Sequence, residues 1–258
     1  MAKPFRTVAS AAVVLLALAA CSTGTKAGAP TPSSAPSSTP SPTMTTSAVT
    51  TPTAVPPSTP TAQTARTAAT LTKALLALAD LPAGFSLEKD DNSDGPDVAV
   101  SSKDSRCARL VAYTNADNPP GSKASASQSY SGGAQGPFID ESIDAMASPA
   151  AVRALQKSFK QAVAACRTMT LKVPGEGSSP ISVRPVSAPQ AGTDPVAVRF
   201  TATSGPLEGF EVTMVTTGVD DVVLAVTVIN GLPEDLDGAT STAVEKAQDV
   251  LGATQSGT

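Results

Sequence analysis

One long segment of low complexity decides which part of this chain can fold. Residues 22–66 consist almost entirely of Thr, Ser, Pro and Ala, and Lys26 and Arg66 are their only charges. The apolar residues there are sparse and show no helical or strand period, so the segment cannot bury a core and is expected to stay disordered. The sequence therefore predicts a tether over 21–66 and a folded domain over 67–258.

The first twenty residues have the layout of a secretory signal peptide. Lys3 and Arg6 precede an apolar run that is too short to cross a bilayer as a stable helix. The run ends in Leu18-Ala19-Ala20-Cys21, which resembles the lipobox of bacterial lipoproteins. The resemblance implies cleavage before Cys21 and attachment of lipid to its thiol. An ordinary secretory signal with a chance cysteine is the alternative.

If Cys21 is lipidated, the mature protein is held at the extracytoplasmic face of the cell membrane. Two or three acyl chains make a durable anchor, because each buried methylene contributes about 0.8 kcal/mol. The tether would then lift the domain away from the membrane surface. A Ser/Thr/Pro stalk of this kind is also compatible with O-glycosylation, although an inert spacer is the simpler interpretation.

Composition excludes several classes of function. The formal net charge of −4 becomes −6 when Lys3 and Arg6 are removed with residues 1–20, which argues against nucleic acid as a partner. The chain has no histidine, so it cannot form a Ser-His-Asp triad, a Cys-His pair or an imidazole metal site. No cofactor and no metal are expected.

Two cysteines remain after Cys21. Cys107 and Cys166 are too few for a structural zinc site, and in an extracytoplasmic compartment they are expected to form one disulfide. The closed loop would contribute about 4 kcal/mol to stability in the chain-entropy account, less any strain.

Hydrophobic spacing predicts four helices. The clearest has Ser148 as its N-cap, Pro149 at its first position, and an apolar stripe that ends at Cys166. The others are predicted over 70–78, from Ser102 or Asp104 to 113, and from Asp237 or Thr240 to 251, where Gly252 should end the last helix.

Alternating apolar residues predict the strands, most clearly in the C-terminal half. Residues 222–229 are apolar on both faces, which places them centrally in a sheet with a helix covering one side. An extended segment is expected to begin at 85–87. The predicted strands are 124–130, 138–146, 169–173, 181–186, 196–201, 210–215 and 222–229. The element order predicts an α+β domain with an antiparallel sheet of about six or seven strands flanked by helices.

This order of elements resembles one family. The shared features are Cys107 in an early helix, a strand pair through Tyr130 and Ile139, the 151–166 helix followed by a strand, and the 210–229 hairpin before a last helix. The order is similar to that of the PknH-type extracellular sensor domain of actinobacteria. That domain recurs in envelope lipoproteins. The resemblance implies a twisted antiparallel sheet around a central cleft, disulfide bonds and ligand sensing. This chain has one cysteine pair, whereas the extracellular domain of the Ser/Thr kinase on which the family was first described has two.

The function predicted from these features is ligand binding or sensing by a lipid-anchored domain, without catalysis. The ligand would be a small molecule, a lipid or a protein. One alternative is an accessory lipoprotein that acts by protein contact. A ligand binder should have an apolar concave pocket, and an accessory protein should have an exposed apolar patch.

A carboxylate-dependent hydrolase is a weaker alternative. Its candidates are Asp140-Glu141 with Asp144, and Asp220-Asp221 in a turn. Ser127, Ser129 and Ser131 occur without an evident base. The acidic run 88–97 suggests a calcium loop, but it lacks the ligand spacing of an EF-hand, so a solvated loop is the expectation.

Overall fold

A computed structural model of the chain describes residues 66–88 and 98–256, apart from the side chains of 253–256. The predicted signal peptide, Cys21 and nearly all of the predicted tether lie outside the described residues. So does most of the acidic run, including the segment considered as a calcium loop.

The described residues form four α-helices and nine β-strands. The helices are α1 (Ala68–Ala74), α2 (Ala108–Thr114), α3 (Pro149–Ala165) and α4 (Pro233–Ser256). The strands are β1 (Ser86–Leu87), β2 (Ala99–Ser101), β3 (Ala124–Ser131), β4 (Phe138–Ala145), β5 (Thr168–Val173), β6 (Gly177–Val186), β7 (Thr193–Ala202), β8 (Glu211–Val219) and β9 (Val222–Ile229).

All nine strands belong to one antiparallel sheet with the order β1-β3-β4-β9-β8-β7-β6-β5-β2. The predicted α+β class is confirmed, and the predicted strands are present. The sheet has two more strands than the upper prediction, because the short strands β1 and β2 extend its two edges. β9 lies between β4 and β8, in agreement with its prediction as a central strand.

The helices divide between the two faces of the sheet, and each face has its own core. On one face α1 and α4 pack over the half of the sheet that contains β3, β4 and β9. On the other face α2 and α3 pack over β6, β7 and the strands beside them. We call these the α1/α4 face and the α2/α3 face. Because α3 leaves β3 and β4 uncovered, the α2/α3 face has an open half.

The N-terminus of α3 follows its prediction closely. The Ser148 hydroxyl accepts a hydrogen bond of 3.2 Å from the Ala151 N–H, and Pro149 occupies the first helical position. The helix approaches β8 closely at Gly218, where a Cβ atom would lie 2.7 Å from Val152 Cγ1. A glycine is therefore required at this point of the strand.

The predicted bounds of α1 and α4 were wrong. α1 ends at Ala74 rather than near Leu78, because the Leu76 N–H leaves the helical pattern to bond the Glu141 carboxylate. α4 begins at Pro233, before both predicted caps. The Leu232 N–H there donates a bond of 2.7 Å to Asp235 Oδ2, and the helix continues through Gly252.

Candidate functional site

A large cleft occupies the open half of the α2/α3 face. It has a volume of about 790 Å³ and lies between α2 and α3 on one side and the uncovered strands β3 and β4 on the other. Its floor is formed by the middle of the sheet. This position follows from the topology, because α3 crosses β7 and β8 but does not reach the β1 edge.

One wall of the cleft is apolar. It is built from α2, α3 and strands β2 and β5 to β8, and several of its side chains remain half-exposed although they are large and apolar. The wall-forming residues include Val100, Phe159, Leu171, Phe200, Phe210 and Met214. Apolar surface left open in a concavity is typical of a site that receives an apolar group.

The opposite wall is polar, and its residues follow from the strand register. Asp140 on β4 pairs with Ser129 on β3 and with Thr227 on β9. The next row on the same face joins Ser127, Ser142, Ala225 and Thr216. Residues two apart on a strand point to the same face, so these hydroxyl and carboxylate groups line the cleft together.

Gln156 lies where the apolar and polar walls meet. Its side-chain oxygen accepts a bond of 2.8 Å from the Thr216 hydroxyl, whereas its amide nitrogen has no partner among the described residues. The residue lines the cleft and is 1 % exposed. A buried donor without an acceptor raises the free energy of the folded state. A ligand oxygen that accepts a hydrogen bond from this amide would therefore be stabilising.

Sequence reasoning missed Gln156, although a signal was present. It lies four residues after Val152 and three before Phe159, which places a polar amide in the middle of the apolar stripe of α3. A polar residue in that position must find a partner on the element against which the helix packs.

Asp140 and Asp144 line the cleft together, as predicted from the period of a strand. Asp144 is buried, and the Ser122 hydroxyl donates a bond of 2.9 Å to its Oδ1 atom. Burial raises the pKa of the Asp144 carboxyl, although the hydrogen bonds from Ser122 and Ser125 oppose this shift. Asp140 is half-buried and has no ion-pair partner within residues 66–88 and 98–256.

The other carboxylates proposed for acid–base work are placed elsewhere. Glu141 projects from the opposite side of β4, where it is 1 % exposed among the side chains of the α1/α4 core. Asp221 lies in the β8–β9 turn and forms an ion pair with Arg66. The Ser131 hydroxyl bonds the Gly133 carbonyl in the turn after β3.

The two tyrosines have different environments. Tyr130 is fully buried on the α1/α4 face, and its hydroxyl donates to the Leu76 carbonyl. Tyr113 lines the cleft from α2, where its ring meets Phe159 edge-on at 5.7 Å between centroids. Its hydroxyl and Ser158 Oγ lie 2.8 Å apart. Tyr113 is thus an aromatic residue on the apolar wall.

The predicted disulfide between Cys107 and Cys166 is present. It joins the start of α2 to the end of α3, and both residues are fully buried in the core beneath the apolar wall. The bond therefore fixes the two helices that form one side of the cleft.

A second hollow, of about 430 Å³, lies near the N-terminus of α4 on the other face. Two of its three charged residues, Arg199 and Glu211, pair with each other at 3.3 Å, and the third is Asp237. In the part of the chain that the structure describes, no group of three or more acidic or cysteine side chains is arranged to hold a metal ion. Among the described helices, none combines the length and the hydrophobicity that a bilayer-spanning helix requires.

Fold and cleft together define an α+β domain with a nine-stranded antiparallel sheet and a half-open α2/α3 face. This fold is similar to the crystal structure of the extracellular domain of PknH from Mycobacterium tuberculosis. The TM-score is 0.55, with 16% sequence identity over 71% of this chain and 97% of that chain. The fold implied by the sequence resemblance is thereby confirmed. No protein-family profile matches the chain, and no curated protein matches it.

Proposed function

We propose that this protein is a lipid-anchored, extracytoplasmic binding protein of the sensor type, and that its cleft holds a small or lipidic ligand. The observation that carries the proposal is the cleft on the α2/α3 face. Its volume of about 790 Å³ falls in the range of small-molecule sites, and a largely apolar lining with a few convergent polar groups is the usual character of such sites.

Two further observations support a ligand rather than a protein partner. The apolar surface is concave, as expected for a ligand binder. Of the large apolar side chains that are exposed in the described residues, Val98 lines the cleft itself, and the other three belong to separate segments of the chain: Leu78, Leu87 and Leu232. The fold similarity to a domain described as extracellular supports the compartment.

The anchor rests on the sequence around Cys21. A tether of ~45 residues could place the domain at any distance up to ~140 Å from the bilayer, depending on its extension. Cys21→Ala should release the protein into the medium or leave an uncleaved precursor, as detergent-phase partition and intact mass would show. Ser22→Ala is the matched control and should partition like the unsubstituted protein. Unchanged partition of Cys21→Ala would contradict the anchor.

Native mass spectrometry tests ligand binding. The chain with Cys21→Ser, exported by an ordinary signal peptide, carries no acyl chain and still forms its disulfide; we call it the non-lipidated chain. A small molecule should co-purify with it from bacteria that make the protein naturally. The substitution Ala225→Trp, which fills the cleft floor, should abolish that added mass. A clean apo mass for both forms would favour the accessory-protein alternative, and envelope cross-linking would then identify its partner.

A further inference from the structure

The charges around the cleft are all of one sign. Among the described residues, its lining contains five acidic residues and no lysine or arginine. The five are Asp117, Asp140, Asp144, Glu176 and Glu141, and the carboxylate of Glu141 lies on the other face of the sheet, against Leu76. Because low-dielectric walls strengthen electrostatic interactions, an anionic group placed there would meet like charges with no compensating cation.

Of these five, Asp140 is best placed to meet a ligand. Glu141 is turned to the opposite face, Asp144 is buried and already bonded by Ser122, and Asp117 and Glu176 are exposed at the surface. Asp140 is half-buried on the cleft face beside Ser129 and Thr227, and it has no ion-pair partner within residues 66–88 and 98–256. Its carboxylate is therefore available to accept hydrogen bonds from a cation.

The same row of the sheet joins this carboxylate to the apolar wall. Asp140, Thr227 and Met214 occupy one row across β4, β9 and β8. Two strand spacings of about 4.8 Å separate the first from the last, or roughly 10 Å. A charged head at Asp140 would leave an attached chain lying across the floor, with its end against Met214 and Phe200.

The unpartnered amide of Gln156 lies near β8, on the Met214 side of the cleft floor. Gln156 bonds Thr216, which is in the next row of the same face, two positions from Met214 on β8. Because its nitrogen is a buried donor, it calls for an acceptor oxygen on the part of the ligand that lies over β8.

We propose that the cleft is built for a cationic amphiphile: a molecule with a protonated amine bound by Asp140, a carbonyl or hydroxyl oxygen about two strand spacings along its chain bound by the Gln156 amide, and an apolar chain against the α2/α3 wall. This inference rests on the proposed function and names its ligand class. Free amines and lipids with amine heads share this chemistry.

Ligands with one tail and different heads test the charge of the site. Octylamine, 1-octanol and octanoate should be titrated into the non-lipidated chain by calorimetry at pH 6.5, each below its aggregation concentration. Octylamine should bind roughly tenfold more tightly than octanoate, with 1-octanol between them, because only the amine forms an ion pair with the Asp140 carboxylate and octanoate meets a like charge there. Equal affinities, or tightest binding of octanoate, would overturn the cationic assignment. Failure of all three to bind would instead contradict the proposed function.

Asp140→Asn assigns the preference to one residue. It should remove most of the difference between octylamine and 1-octanol and weaken octylamine binding far more than 1-octanol binding, because an amide oxygen still accepts a hydrogen bond from the alcohol. Asp194→Asn is the matched control, since it makes the same charge change at an exposed residue outside the cleft lining, and φ of 50° at that position suits asparagine. An equal loss in both variants would show only a general effect of net charge and would overturn the role of Asp140.

N-butyl-6-aminohexanamide tests the role of Gln156, because it places a carbonyl oxygen several atoms along the chain from a primary amine. It should bind several-fold more tightly than octylamine to the unsubstituted chain and with equal affinity to Gln156→Leu. If the unsubstituted chain does not distinguish the two amines, the assignment of the Gln156 amide is wrong, whether or not the variant folds. Binding should then be compared for a single-chain amine and for a double-chain lipid with an amine head, the lipid being presented in small bilayer discs. The comparison shows whether the ligand is a free amine or a membrane lipid.

Discussion

The Arg66 guanidinium is buried against the Asp221 carboxylate. Arg66 Nε and Nη2 donate to Asp221 Oδ1 at 3.1 and 3.0 Å, and the two side chains are 4 % and 9 % exposed. Arg66 Nη1 also donates to the Leu251 carbonyl at 2.9 Å. The residue at the junction with the predicted tether is thus attached to the β8–β9 turn and to α4.

Removal of this guanidinium should destabilise the domain. Arg66→Ala leaves the Asp221 carboxylate buried without its cation, which costs about 3–5 kcal/mol in free energy of unfolding. Urea denaturation of the non-lipidated chain measures the change. Lys73→Ala, at an exposed position on α1, is the control and should change stability by less than about 0.5 kcal/mol.

A double-mutant cycle shows whether the effect comes from the pair. Arg66→Ala with Asp221→Ala should destabilise by clearly less than the sum of the two single substitutions, because the double variant leaves no unpaired buried charge. Additive effects would mean that Arg66 acts through Leu251 or through packing alone.

Loss of the disulfide should lower stability while leaving the sheet intact. The bond spans 59 residues, and closure of such a loop is worth about 4 kcal/mol in the chain-entropy account. The Cys107→Ser/Cys166→Ser chain should melt several degrees lower than the unsubstituted protein, and reductant should lower the melting temperature of the unsubstituted protein alone. Two free thiols in non-reducing mass mapping would refute the bond.

The buried Glu141 should make stability depend on pH. Its Oε2 atom accepts a bond of 2.7 Å from the Leu76 N–H, and Oε1 has no partner in the part of the chain described. Burial raises the pKa of Glu141 to about 7, although the Leu76 hydrogen bond opposes the shift. The folded state therefore holds this proton more tightly than the unfolded state, and stability should fall as the pH rises from about 4.5 to 7.

Glu141→Gln removes the charge and keeps an acceptor for the Leu76 N–H. The free energy of unfolding should rise by on the order of 2 kcal/mol at pH 8 and change little at pH 4.5, where the native carboxyl is protonated. Denaturant titrations at the two pH values measure this difference. Glu245→Gln, at an exposed position on α4, should have no comparable effect. A gain of equal size at both pH values would show that charge is not the cause.

The longer elements of the fold were predictable because their patterns are local. The alternating strands from Met169 to Ile229 and the capped stripe of α3 carry their own signals. β2 has only three residues, Ala99–Ser101, and it is defined by pairing with distant β5. The early end of α1 depends on Glu141, which is 65 positions from Leu76 in the sequence. Neither feature has a local signal.

The candidate site was predictable in part for the same reason. The period of a strand places Asp140 and Asp144 on one face, and the structure agrees. The apolar wall opposite them depends on how α3 crosses the sheet, which no spacing within α3 specifies. Gln156 could have been selected from its stripe, but its unpartnered nitrogen depends on the position of Thr216 on another element.

Tryptophan fluorescence can report whether the cleft on the α2/α3 face binds an apolar ligand. The chain contains no tryptophan, so Tyr113→Trp places a single reporter on the apolar wall. Titration of this non-lipidated variant with 1-octanol should give a saturable blue shift of the emission. Leu87→Trp, at an exposed position on β1, is the control and should show no such shift. The absence of a saturable change from the reporter on the apolar wall, or an equal change from both reporters, would contradict the account.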